Sequence, residues 1–206
     1  MIVIFYGRLQ RSNNQYSYNE HIAEYVSGSP GSISSDLKAW IDRILGNIPK
    51  NSAVLEIGSG FGRDAQYIKS KGYKVILTDA SVGFVDFLKS QGIEAKLLNA
   101  LTDDLGKGYD LIYAQAVFLH FPKELISNVL GKCYEALNNN GILAFSVKQG
   151  SGSNWSNKKL NAPRYFYYWD KKSIEKEMSD SKFKLIEITE RETSTDKWLQ
   201  IIAKKA

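Results

Sequence analysis

Glu56, Gly58, Gly60 and Gly62 fall at alternating positions in the run Val54-Leu55-Glu56-Ile57-Gly58-Ser59-Gly60-Phe61-Gly62. A hydrophobic stretch, Ala53 to Ile57, leads into the glycines, and a helical pattern opens at Arg63. A buried strand, a glycine turn and a helix start together make a nucleotide site. Glycines let the backbone approach a ligand closely, and the first turn of a helix presents unpaired N–H groups. The spacing narrows the ligand. A dinucleotide fingerprint runs G-x-G-x-x-G, and Arg63 stands where its third glycine belongs. Glu56 sets a carboxylate at the carboxyl end of the strand, which would repel a pyrophosphate and suits a cationic ligand. A second acid, Asp79, ends the next hydrophobic stretch about twenty residues past the turn, where such folds accept hydrogen bonds from ribose hydroxyls. One carboxylate can accept from both hydroxyls. The alternative for Asp79 is a cap on the helix that follows.

The E-x-G-x-G-x-G run resembles motif I of the class I S-adenosylmethionine-dependent methyltransferases, whose cofactor carries an ammonium and a sulfonium in place of phosphates. The resemblance covers residues 37–206 and implies a Rossmann-like α/β fold: a seven-stranded, mostly parallel sheet with an antiparallel last strand and helices on both faces. It implies that Glu56, Gly58, Ser59 and Gly60 hold the cofactor, that Arg63 binds its carboxylate, and that Ala80 flanks the adenine. Asn99, followed by Ala100, stands where the family usually has an acid bonding the adenine amino group, a role its side-chain oxygen can still take. The run Gln115 to Pro122 resembles motif IV and the segment after it in small-molecule methyltransferases. It offers Gln115 at a strand end and His120 as the candidate base, with His21 second; a packed, neutral histidine is the alternative for His120. The Asn/Asp-Pro-Pro-Tyr/Phe run of nucleic-acid amino methylation and the Pro-Cys nucleophile of cytosine methylation are both missing.

The elements that must position these residues follow from periodicity. Ser35 or Asp36 caps a helix to about Leu45, with Leu37, Trp40, Ile41 and Ile44 on one face. Residues 63–71 and 82–90 read as helices, and Tyr73 to Thr78, Glu94 to Leu98 and Tyr109 to Ala114 as strands. Pro122 opens a helix to about Leu137 that Asn138-Asn139-Asn140-Gly141 closes, and Ile142 to Val147 is a fifth strand. Asp170 caps a helix to about Ser179. Phe183 to Thr189 and Trp198 to Ala203 read as a strand pair with a long connection, Glu190 to Lys197. Alternating strands and helices make an α/β domain, and such sheets bind ligands at the carboxyl ends of their strands. Glu56, Gly58, Asp79, Asn99 and Gln115 all fall there.

Residues 1–36 are polar and tyrosine-rich, and by resemblance form a lid over the cofactor, with Tyr16 or Tyr25 at the ligand or in lid packing. Gly150 to Ser153 reads as flexible. The run Arg164-Tyr165-Phe166-Tyr167-Tyr168-Trp169 resembles that of an uncharacterised bacterial subgroup of these enzymes. Arg164 and Tyr165 read as a pocket wall, with Arg164 available to an anionic substrate group; the alternative is a strand packed on the core.

Composition bounds the whole. The chain has 206 residues, 43% hydrophobic and 24% charged, so it forms a globular core. The single cysteine, Cys133, allows no internal disulfide and points to a reducing compartment. The apolar run Met1 to Tyr6 is too short to cross a bilayer and lacks a signal-peptide n-region, so a cytoplasmic protein without membrane attachment is expected. Residues 1–147 balance 14 basic and 14 acidic side chains, whereas residues 148–206 carry 13 and 8, the whole net charge of +5. This is a basic rim for an anionic partner or a solvated lysine surface, the latter for Lys158-Lys159 and Lys171-Lys172. The reading is methyl transfer to a small molecule, with no metal site and no nucleic acid partner. The alternatives are an RNA-modifying methyltransferase, a non-catalytic cofactor-binding module, or a nicotinamide-dependent oxidoreductase. Neither the acceptor atom nor the oligomeric state is set by the sequence.

Overall fold

A computed structural model describes residues 14–206; the apolar run Met1 to Tyr6 and the rest of 1–13 lie outside the described residues. Residues 14–20 are helical and lead to α1 (Ile22–Ser27) and α2 (Ser35–Leu45). The alternating half then runs β1 (Ala53–Ile57), α3 (Arg63–Ser70), β2 (Lys74–Asp79), α4 (Val82–Ser90), β3 (Ala95–Leu97) and β4 (Tyr109–Ala114). A short 3₁₀ turn (Phe118–His120), α5 (Lys123–Ala136), β5 (Leu137–Lys148), β6 (Ser153–Ser156), β7 (Arg164–Tyr167), α6 (Lys171–Asp180), β8 (Phe183–Glu192) and β9 (Lys197–Lys205) complete it.

The sheet has seven strands in the order β3-β2-β1-β4-β5-β9-β8. β3, β2, β1, β4 and β5 pair in parallel, and β9 pairs antiparallel with both β5 and β8. This is the Rossmann-like sheet with an antiparallel last strand that the resemblance implied. Strand order reverses between β1 and β4, so the crevice for a ligand opens there. Period-two alternation splits the core into two faces. Leu111 and Tyr113 pack with Leu37, Trp40, Ile41 and Ile44 of α2. Ile112 and Ala114 pack with Ile126, Val129, Leu130 and Cys133 of α5 and with Ile174 and Met178 of α6. Burial also holds the Cys133 thiol up at about 12, so it is an inert core residue.

Several boundaries differ from the sequence reading. Ser34, one residue before the expected cap, takes the extended conformation and accepts the Leu37 amide of α2 at 3.4 Å. Ser35 and Asp36 sit inside the first turn. The run Asn138 to Gly141 does not close α5 as a loop. It is the lead-in of β5, exposed at Asn138 to Asn140, where register slips between the pairs Tyr109/Leu137 and Leu111/Ile142, and Asn140 takes a φ of 65°. Gly150 to Gly152 is a bend leading into a hairpin that Ser153 opens: β6 and β7 pair antiparallel as a separate two-stranded sheet. β8 and β9 are longer than expected, and a tight turn held by Thr193 and Asp196 replaces the long connection. Among the described residues no helix is long and apolar enough to cross a membrane.

Candidate active site

The glycine turn joins β1 to α3 at the point of strand reversal. Gly58 has a φ of 72°, and a Cβ there would lie 2.4 Å from Val117 Cγ2, so only glycine fits. Ser59 ties the turn to β2: its amide donates to the Thr78 carbonyl at 2.9 Å, and its Oγ accepts the Thr78 amide at 3.1 Å. At Gly60, φ is 53° and a Cβ would meet nothing within 4 Å, so this face of the turn is open. The Gly60 amide donates to Asp79 Oδ2 at 2.9 Å, and the Ser81 amide donates to Asp79 Oδ1 at 2.8 Å. Asp79 therefore organises the turn while each oxygen keeps a lone pair for a ligand. Ser81, not Asp79, caps α4, accepting the Phe84 amide at 3.3 Å. Burial raises the Asp79 carboxyl to about 6, against the pull of its backbone donors.

Two adjoining cavities open over this turn. The first is lined by Gly58, Gly60, Asp79, Ala80, Leu98, Asn99 and Ala100 on one side and Gln115, Val117 and His120 on the other. Tyr18 and Tyr25 roof it. Asn99 Oδ1 accepts the Leu101 amide at 3.0 Å, so one of its lone pairs already holds the local turn. The second is lined by Glu56, Ser59, Arg63, Asp64, Phe61 and Lys159. Tyr25, Gly58, Gly60, Gln115 and Ala116 line both, so the two are halves of one cleft. Ala116 takes a φ of 56°, an uncommon backbone for a non-glycine residue, at the end of β4 where the halves meet.

Glu56 is buried, and its Oε2 has no hydrogen-bond partner. Desolvation, reinforced by nearby Asp64, raises its carboxyl to about 8. Asp64 is itself engaged, accepting Arg63 Nε at 2.7 Å and the Tyr113 hydroxyl at 2.9 Å. Glu56 Oε2 is thus left without a hydrogen-bond partner among the described residues, in a cavity that Arg63 and Lys159 also line.

His120 sits at the other end. Its Nδ1 lies 2.8 Å from the Tyr165 carbonyl, which can only accept, so Nδ1 carries the proton. Nε2 is then the acceptor for the Tyr18 hydroxyl at 2.9 Å. Burial lowers the imidazole to about 4, with Arg164 and Lys148 pushing the same way, so it is neutral at pH 7. Tyr18 is held up by burial, opposed by Arg164. The segment carrying Tyr18 is pinned from both sides. Asn14 Oδ1 accepts the Tyr165 amide at 2.7 Å, and Ser17 Oγ donates to the Pro163 carbonyl at 2.7 Å. Gln15 Nε2 donates to the Ala80 carbonyl at 2.9 Å, and Asn19 Oδ1 accepts from Ser81 Oγ at 2.6 Å.

Some expected residues stand elsewhere. Tyr16 is 66% exposed and points away from the cleft, because its neighbours Asn14 and Ser17 turn inward on the same helical stretch. Tyr25 and the unselected Tyr18 take the place expected for it. His21, the second base candidate, pairs with Glu24 at 3.1 Å and lines neither cavity. Tyr165 contributes its backbone to His120 while its ring packs on Trp155, so its side chain is not a cavity wall. Arg164 also lines neither cavity. It is 6% exposed, lies behind Tyr18 and Phe166 at 5.9 and 5.2 Å from their rings, and its Nε has no partner. Lys158 and Lys159 are both exposed, as the solvated-lysine reading has them, and Lys159 also lines the second cavity. Arg63 does line that cavity, though Asp64 takes up its Nε.

A protein-family model described as a methyltransferase domain matches residues 31–188. Phosphoethanolamine N-methyltransferase from Plasmodium falciparum (isolate 3D7) is 31% identical over 141 residues, 64% of this chain. The match spans 53% of that protein, so the chain covers about half the length of this curated relative. Among solved structures, an S-adenosylmethionine-dependent methyltransferase from Methanosarcina mazei superposes with a TM-score of 0.70 at 17% identity, covering 84% of this chain and 98% of that one. Burkholderia thailandensis 1,6-didemethyltoxoflavin-N1-methyltransferase, with its acceptor and S-adenosylhomocysteine bound, gives 0.66 at 17% identity, covering 82% and 76%. The chain belongs to the methyltransferase domain family and has the class I S-adenosylmethionine-dependent methyltransferase fold.

Proposed function

We propose that this protein transfers a methyl group from S-adenosylmethionine to a small-molecule nucleophile bound against Tyr18 and His120. The cleft fits the cofactor on three observations. A ribose would meet Asp79, whose two oxygens each retain a lone pair. An adenine would lie between Ala80, Leu98, Asn99 and Ala100. An ammonium would find the unpartnered Glu56 Oε2, past the open face of Gly60. When bound, the cofactor supplies a methyl already activated by a positively charged sulfur.

The chain's own residues then position and deprotonate. The roof of Tyr18 and Tyr25 and the wall of Gln115, Val117 and His120 exclude water and align the acceptor, and alignment alone can contribute about 7–11 kcal/mol. An acceptor bearing a proton gives it to Tyr18 Oη as Tyr18 passes its own to His120 Nε2. The hydrogen bond from Nδ1–H to the Tyr165 carbonyl keeps Nε2 free for this and stabilises the imidazolium that results. Arg164, buried behind Tyr18 and lining neither cavity, would favour an anionic group on the acceptor through its field and not by contact. The amine acceptor named for the Plasmodium relative makes nitrogen the first atom to try.

The Tyr18–His120 hydrogen bond at the cavity wall is the observation that carries this reading. The test is methyl transfer from isotope-labelled S-adenosylmethionine to a panel of small amines and thiols, with and without a phosphate or carboxylate, beside bulk RNA. Label entering a small anionic amine supports the reading. Label entering RNA alone contradicts it.

A further inference from the structure

We infer that Lys159, on the loop joining β6 and β7, and not Arg63, binds the carboxylate of the cofactor's amino-acid end. The inference rests on the proposed cofactor reading and assigns a residue outside the glycine-turn motif. An α-amino acid presents an ammonium and a carboxylate on one carbon, so its site needs an acid and a cation facing one small space. In the second cavity the acid is Glu56, buried with a free Oε2. Two cations line the same cavity, Arg63 and Lys159.

Their situations differ. Arg63 donates its Nε to Asp64 at 2.7 Å and is largely neutralised by it. Lys159 Nζ makes one hydrogen bond among the described residues, to Ser29 Oγ at 2.7 Å, and otherwise rests 3.8 Å from the centre of the Tyr25 ring. A hydroxyl and an aromatic face leave its charge uncompensated. The ammonium is held down near 8 by burial and by the neighbouring guanidinium groups of Arg164 and Arg63, the surroundings expected of a cation awaiting an anion. An entering carboxylate would accept from Lys159 while the ammonium on the same carbon pairs with Glu56. The contact also has a structural consequence. Lys159 and Arg164 sit on the same hairpin, and Ser29 and Tyr25 belong to the segment over the cleft. Lys159 already joins the hairpin to that segment, so a cofactor held by it would sit at their junction.

The experiment compares S-adenosylhomocysteine with 5′-methylthioadenosine, which keeps the nucleoside and lacks the amino-acid end, by calorimetric titration. The proteins are wild type, Lys159→Gln, Lys159→Arg and Arg63→Gln. Lys159 lies on an exposed loop, and matching melting temperatures would confirm intact folding. Wild type should prefer S-adenosylhomocysteine strongly. Lys159→Gln should weaken it by about ten- to a hundredfold, the worth of one charge-assisted hydrogen bond, and leave 5′-methylthioadenosine unchanged. Lys159→Arg should retain most of the affinity. The inference is overturned if Lys159→Gln leaves S-adenosylhomocysteine unaffected, if it weakens both ligands equally, or if Arg63→Gln alone abolishes the preference. Failure of wild type to bind either ligand would instead overturn the cofactor reading itself.

Discussion

Tyr18 Oη lies 2.9 Å from His120 Nε2, joining a segment near the chain's start to the turn after β4 across 102 positions of sequence. Because the Tyr165 carbonyl fixes the proton on Nδ1, the pair has one direction: Tyr18 donates and His120 accepts. Tyr18→Phe removes the relay and leaves the ring packing. It should lower kcat by about a hundredfold, the lower range for a positioned acid–base group, with S-adenosylhomocysteine affinity unchanged. His120→Asn should do the same, and the double variant should lose little more than either single one. With the imidazole held near 4, kcat at saturating cofactor should persist down to about pH 5 and fall below it. Loss of kcat at pH 6.5 with cofactor saturating would contradict the assignment, as would full kcat in Tyr18→Phe.

Glu56 should announce cofactor binding through a proton. Its carboxyl is raised from an ordinary 4.5 to about 8, so at pH 7 the free protein carries it mostly protonated. A bound ammonium favours the carboxylate, and binding then releases a proton. Titrations of S-adenosylhomocysteine in buffers of different ionisation enthalpy should show release at pH 7 and little at pH 9. The same group sets a stability trend. A carboxyl whose folded value is raised contributes stability that is full below about pH 4.5 and lost as pH climbs through 8. Glu56→Gln should therefore melt higher than wild type at pH 9, by about 2–4 °C per kcal/mol recovered, while binding S-adenosylhomocysteine less well. A variant equal to wild type in both respects would refute the role.

Asp79 joins ligand and scaffold. Asp79→Ala frees the Gly60 and Ser81 amides, and the buried Ser81 amide left unpaired costs about 1–3 kcal/mol. The variant should fold with a lowered melting temperature and bind S-adenosylhomocysteine at least about tenfold more weakly. Circular dichroism checks the first outcome and calorimetry the second. Unchanged affinity would remove Asp79 from the site.

Arg164 predicts opposite signs for stability and function. A guanidinium at 6% exposure with an unpartnered Nε costs free energy in the folded protein. Arg164→Met should raise the melting temperature. The same change should raise KM for an anionic acceptor while leaving kcat and cofactor affinity near wild type. A lower melting temperature with unchanged KM would make Arg164 a purely structural residue.

Much of this was legible in the sequence because it rests on local periodicity. β1, α4 and β4 begin and end where alternation or 3.6-residue spacing places them, and the acids at strand ends follow from those boundaries. Tyr18 was not legible as a site residue. Its segment has weak periodicity and gains its order from hydrogen bonds to Ala80, Ser81, Pro163 and Tyr165, far along the chain. The β6–β7 hairpin was hidden by its Gly/Ser approach and short strands. Arg164 read as a pocket-wall cation, whereas it is buried behind Tyr18 and lines neither cavity, and nothing local marks an arginine as buried. Lys159 looked like half of a surface pair until the fold turned its loop over the cleft.

The central claim is that this cleft holds S-adenosylmethionine and not a dinucleotide. Calorimetric titration of the purified protein with S-adenosylhomocysteine, with NADH in parallel, tests it most directly. Micromolar binding of S-adenosylhomocysteine and none of NADH is the predicted result. Binding of NADH alone would contradict the account and move the chemistry to hydride transfer.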